Sequence, residues 1–174
     1  YWDSYFAMLG LQVHNEVELM ENIVENCAFL INNYGKIPNG NRTYFLSRSQ
    51  PPYFFIMLEL LAETLQNDNL IVQYLPILEK EYQYWMDPDE QKIIEFPDNV
   101  FLNRYFDKKN EPREESYSID IEDQGKSKNP KFYQDIRSAC ESGWDFSSRW
   151  FADAKDISTI ETSHIIPVEL NSLL

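Results

Sequence analysis

The sequence predicts an all-α fold interrupted by one short β-hairpin. Three observations carry this. Glycine is scarce, 5 of 174 residues against an average share of about 7%, and the abundance of Leu, Glu and Tyr favours helices over turn-rich sheets. Long stretches repeat apolar residues at the three-four spacing of a helix face. Only around residues 92–105 do two short β-favouring runs flank a turn cluster, Pro97-Asp98-Asn99, which is the signal of a hairpin.

Residues 16–34 read as an amphipathic helix. Val17, Met20, Val24, Cys27 and Ile31 form its main stripe, and Leu19, Ile23 and Leu30 add a second. Two stripes call for neighbours on both sides. Asn15 suits the N-cap, and Gly35 the left-handed position after the end. Residues 52–66 are apolar nearly all round, with Phe54, Phe55, Met57, Leu58, Leu60, Leu61 and Leu65, so this helix is expected inside the fold. Residues 70–86 continue the helical pattern. Pro76 should kink that element or start a new helix, and Glu79, Lys80, Glu81 and Gln83 mark a solvated side. After the hairpin, residues 107–130 are polar and loop-like with a short helix near 114–123. Residues 131–141 form another helix, with Phe132, Ile136 and Ala139 or Cys140 on one face. Residues 165–167 read as extended and 168–174 as the first turns of a helix. The first fifteen residues carry no helical assignment. With no linker or repeat, residues 1–174 are expected to be a single segment of one domain, truncated at both ends.

Composition excludes several functions. The net charge of -14 repels phosphate backbones and anionic lipid, so neither nucleic acid nor a membrane is an expected partner. No apolar run reaches the roughly 18 residues of a membrane helix. Cys27 and Cys140 are too few and too far apart for a zinc site; Cys27 fits the helix core, and a pairing between the two stays open. His14 and His164 make no metal motif. No metal site is expected.

Four polar-aromatic clusters suit carbohydrate chemistry: Tyr1-Trp2-Asp3-Ser4-Tyr5; Pro38-Asn39-Gly40 with Ser47-Arg48-Ser49-Gln50; Arg113-Glu114-Glu115-Ser116-Tyr117; and Glu141-Ser142-Gly143-Trp144-Asp145-Phe146-Ser147-Ser148-Arg149-Trp150. Aromatic rings offer flat apolar platforms to sugar faces. Asp, Asn, Gln, Glu and Arg offer directional hydrogen bonds to hydroxyls. Glycoside hydrolysis needs one carboxyl to protonate the leaving oxygen and another to activate water or attack. Asp145, between Trp144 and Phe146, has the aromatic company that raises a carboxyl pKa, and Gly143 lets backbone approach a ligand. Taken singly, each cluster has a plain structural alternative. Asp3 suits a helix cap, Arg48 an ion pair, and Trp144 and Trp150 a core.

Taken together and in order, the blocks resemble those of trehalases. Trp2-Asp3-Ser4-Tyr5 is similar to the end of the first family signature. Ile37-Pro38-Asn39-Gly40 with Ser47-Arg48-Ser49-Gln50-Pro51-Pro52 resembles the next block, and Leu102-Asn103-Arg104-Tyr105 with Arg113-Glu114-Glu115-Ser116-Tyr117 the third. Glu141 to Trp150 resembles the acid-bearing block, and Ile166 to Leu174 the segment after it. The resemblance implies part of an (α/α)6 toroid of the six-hairpin glycosidase type and an inverting enzyme that splits α,α-trehalose into two glucoses without a cofactor. It implies Asp145 as general acid. It places Trp2, Asp3, Asn39, Arg48, Gln50, Arg113, Glu115 and Gly143 at sugar-binding positions, with Ser49 and Glu114 between them in the same blocks. Glu114 stands where the family has Pro.

The family's base Glu belongs to a block beyond Leu174, so the remainder of the catalytic domain is an expected partner. Residues 1–174 alone are expected to be inactive, with Asp145 open to water and losing the burial that raises its pKa. The resemblance leaves a periplasmic or a cytoplasmic location open. Two other functions compete: a catalytically silent sugar-binding relative, hinted at by Glu114, and a toroid glycosidase for another α-linked disaccharide.

Overall fold

A computed structural model describes residues 1–174. Seven α-helices and one hairpin follow in the order α1 (Asp3–Val13), α2 (Val17–Tyr34), α3 (Phe54–Leu65), α4 (Asn69–Met86), β1 (Ile93–Phe96), β2 (Val100–Asn103), α5 (Tyr117–Gln124), α6 (Phe132–Ser142) and α7 (Val168–Leu173).

Helices α1 to α4 pack mutually around a core that includes Met8, Met20, Val24, Ile31, Phe54, Met57, Leu58 and Leu61. Each such side chain taken from water contributes roughly 1.5–3 kcal/mol. The main stripe of α2 is the one that is buried, Cys27 included, while Leu19 on the second stripe is exposed. Gly35 ends the helix at φ 74°, as its position requires. Asn15 does not cap α2. It takes a left-handed conformation itself, at φ 57°, and turns the chain between α1 and α2. Helix α1 is absent from the sequence-based expectations because Gly10 and the mixed pattern around it blur the helical period; only Met8 is fully buried.

Helix α4 runs unbroken through Pro76. Pro76 removes one N–H donor, and the element survives because its apolar face packs on α2 and α3. The solvated side is Glu79, Lys80 and Gln83. Glu81 is a correction: it is 4% exposed and points inward.

The hairpin pairs Ile93 with Asn103 through Phe96 with Val100. Asp98 and Asn99 both adopt positive φ in its turn, a conformation that short polar side chains tolerate. A second core joins Tyr84 and Trp85 of α4 to Tyr105, Phe132, Ile136, Ala139, Trp150, Ile160 and Leu170. Its centre is α6. The sequence marks one apolar face on this helix, yet every residue from Gln134 to Ser142 is buried, Asp135, Arg137 and Glu141 among them. Cys27 and Cys140 are free, buried thiols and form no disulfide.

Candidate active site

The four clusters converge on the C-terminal end of α6. Gly143 closes that helix at φ +68°, a left-handed conformation that a side chain would strain. A Cβ at this position would lie 2.5 Å from Nε1 of Trp2. The glycine is therefore required twice, by the turn and by the close seat of the indole. Trp2 also packs edge-on against Tyr53, with centroids 5.4 Å apart, and lies 6.4 Å from the ring of Trp144. Its backbone N–H donates to Gln50 Oε1 at 3.3 Å. Asp3 opens α1 and is exposed.

The loop between α2 and α3 is tied to the same helix end. Asn39 Nδ2 donates to the carbonyls of Ser49 and Cys140, each at 3.0 Å. Ser49 is wholly buried; its hydroxyl donates to the Ile37 carbonyl at 2.7 Å and its N–H to Glu141 Oε1 at 2.9 Å. Its polar atoms serve the frame rather than an open surface. Arg48 is equally buried. Its Nη2 donates to Glu115, while Nε and Nη1 have no hydrogen-bond partner. Buried N–H donors without acceptors are costly and rare. Nη1 lies 3.9 Å from Asp107 Oδ2, too far for a hydrogen bond.

Arg113 is held by a two-pronged ion pair, Nη2 to Asp120 Oδ1 at 2.6 Å and Nε to Oδ2 at 3.0 Å, and its Nη1 reaches Cys140 Sγ at 3.3 Å. Its guanidinium covers Phe146 at 4.9 Å. Glu115 takes Arg48, whereas Glu114 turns to Arg137, at 2.9 Å, with Lys109 at 3.6 Å. Burial pushes the Glu114 carboxyl up, but a backbone hydrogen bond, Arg137 and Lys109 together outweigh it and keep the group below its usual range. The added acid is thus neutralised by its neighbours.

Asp145 follows Gly143 by two residues in the turn between Trp144 and Phe146. It is solvent-exposed, as expected, but its pKa does not relax to the ordinary value. Protein crowding its inner side disfavours the charged form and raises the carboxyl, against the opposing pull of its own backbone, Arg113 and Arg48. The expectation that openness to water removes the upward shift is therefore corrected in direction. Trp150 lies wholly buried beneath, donating Nε1–H to the Trp144 carbonyl at 3.0 Å, while Trp144 itself is 46% exposed.

The sequence assigned no role to the group that joins these pieces, Glu141. Its two oxygens accept from four donors, and Lys92 is one of them. The sequence shows only that Glu141 ends the helix just before the aromatic acid block; its partners Lys92 and Ser49 lie 49 and 92 residues away, so no local pattern marks it. No set of three or more His, Cys, Asp or Glu is arranged to hold a metal ion, His14 and His164 are exposed, and no helix is long and apolar enough to cross a membrane.

Comparison with known proteins accounts for this arrangement. The family model described as trehalase matches residues 1–174. The periplasmic trehalase of Escherichia coli O1:K1 is 46% identical over 185 aligned positions, which include all of this chain and 33% of that protein. The periplasmic trehalase of Citrobacter koseri is 47% identical, again over all of this chain, and over 32% of its own length. Among solved structures, neutral trehalase Nth1 from Saccharomyces cerevisiae superposes with a TM-score of 0.69 at 26% identity, over 99% of this chain and 34% of that one. The chain spans about a third of the length of the relatives it matches. Its helices and small antiparallel sheet are part of an (α/α)6 toroid. From the ordered blocks around α6 to the match along its whole length, the chain belongs to the trehalase family.

Proposed function

We propose that the protein carrying this chain hydrolyses α,α-trehalose to two glucose molecules by an inverting acid–base mechanism, with Asp145 as general acid. The observation that carries this reading is the convergence of Trp2, the Arg48–Gln50 segment and Arg113 on the turn that bears an exposed carboxyl of raised pKa. Asp145 is positioned to give its proton to the glycosidic oxygen, and its elevated pKa keeps a larger share protonated near neutrality. Arg48 and Arg113, the guanidinium groups beside the Asp145 turn, are the proposed donors to sugar hydroxyls; Arg48 Nε and Nη1 are unpartnered but covered, so a sugar reaches them only once the side chains over them shift. Trp2 supplies a platform, and Asp3, Asn39, Gln50 and Glu115 complete the polar lining. Gly143 holds the platform close. Ser49 and Glu114, whose polar atoms are already engaged, act as frame.

The second carboxylate, the base, comes from the remainder of the catalytic domain, at a separation of roughly 6.5–9.5 Å that leaves room for water. Residues 1–174 alone are therefore inactive. The curated relatives named above are periplasmic trehalases, and the periplasm is the compartment proposed here; cell fractionation tests it.

The deciding experiment uses the full-length protein. Glucose release from trehalose, with β- and α-glucose appearing together in equal amounts by NMR before mutarotation, is the expected result, and Asp145→Asn should lower kcat by about 10²- to 10⁴-fold. Faster turnover of maltose than of trehalose would show that the substrate is another α-linked disaccharide. Sugar binding without turnover would show a silent relative.

A further inference from the structure

We infer that Glu141, paired with Lys92, is the positioning residue that fixes the register between the Arg48–Gln50 segment and the turn bearing Asp145. The inference rests on the trehalose-hydrolysis reading above. It starts from geometry. Glu141 sits in the last turn of α6, two residues before Gly143, and is wholly buried. Its Oε1 accepts the Ser49 N–H at 2.9 Å and the Tyr84 hydroxyl at 2.8 Å. Its Oε2 accepts Lys92 Nζ and the Phe106 N–H, at 2.6 and 2.9 Å. Four chain segments thus donate to one carboxylate: the loop before α3, the end of α4, the residue before β1, and the loop after β2.

Each donor carries information. Ser49 lies between Arg48 and Gln50, so its N–H fixes the backbone from which both side chains spring. Lys92 is itself fully buried, donates also to the Phe106 carbonyl at 2.6 Å, and lies over the rings of Tyr84 and Trp85. Burial alone would raise the Glu141 carboxyl, but Lys92 and the two backbone donors outweigh it and keep the group ionised. Only the ionised form accepts four bonds. A second tie, Asn39 to the carbonyls of Ser49 and Cys140, joins the same two segments beside it. Sugar-side donors and proton donor are therefore held in one frame by a group that touches neither substrate nor reacting atoms.

The test compares two substrates in the full-length enzyme. α-Glucosyl fluoride has a leaving group that needs little protonation, whereas trehalose needs a well-aimed acid. Glu141→Gln keeps size but turns an amide NH2 toward other donors. Misplacement by about 1 Å costs on the order of 100-fold, so kcat on trehalose should fall ~100-fold. On α-glucosyl fluoride the loss should be under ~10-fold. The neutral pair Lys92→Met with Glu141→Gln removes the buried, unmatched charge. It should recover melting temperature toward wild type while kcat on trehalose stays low. Equal losses on both substrates, or return of trehalose turnover together with stability in the double variant, would show a purely structural ion pair and overturn the inference. Wild-type enzyme that hydrolyses neither substrate would instead defeat the functional reading on which it rests, and with it the inference.

Discussion

Glu81 offers a quantitative test of how this fold handles buried charge. The residue is 4% exposed, receives one hydrogen bond from the Tyr1 hydroxyl at 2.7 Å, and forms no ion pair. Burial raises its pKa from 4.5 to about 7, with the Tyr1 bond pulling weakly the other way. Its charge in turn helps burial push the Cys27 thiol up to about 12. A raised pKa in the folded state means that the folded protein binds the proton more tightly than the unfolded chain. The penalty is therefore small at or below pH 4.5, grows between pH 4.5 and 7, and is complete above 7. Across that interval, at about 1.4 kcal/mol per pH unit, it reaches about 3 kcal/mol. Glu81→Gln removes the titration and keeps an acceptor for Tyr1. Urea unfolding of wild type and variant between pH 4.5 and 8 should show curves that differ by less than about 0.5 kcal/mol at pH 4.5, with the variant ahead by about 3 kcal/mol at pH 8. Parallel curves would refute the reasoning and show that the carboxylate finds solvation inside the fold.

Three further outcomes follow from the same geometry. Gly143→Ala forces a side chain into a left-handed conformation at roughly 1–2 kcal/mol and drives its Cβ onto Trp2; in the full-length enzyme, KM for trehalose should rise several-fold, and unchanged KM would argue against Trp2 as a sugar platform. With Asp145 as the proposed general acid, active when protonated, and with its pKa raised, the alkaline limb of kcat/KM should lie above the ordinary carboxylate range and vanish in Asp145→Asn. Residues 1–174 on their own expose Phe29 at 64%, Val72 at 68% and Leu75 at 48%; sedimentation velocity should show concentration-dependent association, and a dilute and concentrated monomer alike would contradict it.

How much was legible in the sequence depended on whether the determining contacts were local. Helices α2 and α3 were readable because their apolar spacing is itself the packing signal, and Gly35 marked an end that only a left-handed residue could make. The hairpin was readable from a turn cluster between β-favouring runs. Helix α1 was not, because Gly10 interrupts its stripe and its neighbours α2 and α3 supply its stability. At Pro76 no new helix starts, since tertiary packing outweighs the lost donor and α4 continues through it. In the candidate site, Asp145 and Gly143 stood out through their immediate neighbours. Glu141 did not, because its meaning lies in Lys92, 49 residues away, and Ser49, 92 residues away. A long-range ion pair leaves no periodic trace.

That contrast also explains why charge rather than oil lies at the heart of the site. Apolar contact is non-directional, so a core of Leu and Phe around α6 would hold its neighbours together while tolerating small slides between them. A carboxylate that accepts from Ser49, Tyr84, Lys92 and Phe106 at 2.6–2.9 Å has far fewer arrangements that satisfy all four. Leaving any one unmet in a dry interior costs about 1–3 kcal/mol. Apolar replacement of a buried ion pair is often neutral or stabilising. It could not match the Lys92–Glu141 pair in register, and register is what a proton donor aimed at a single oxygen requires.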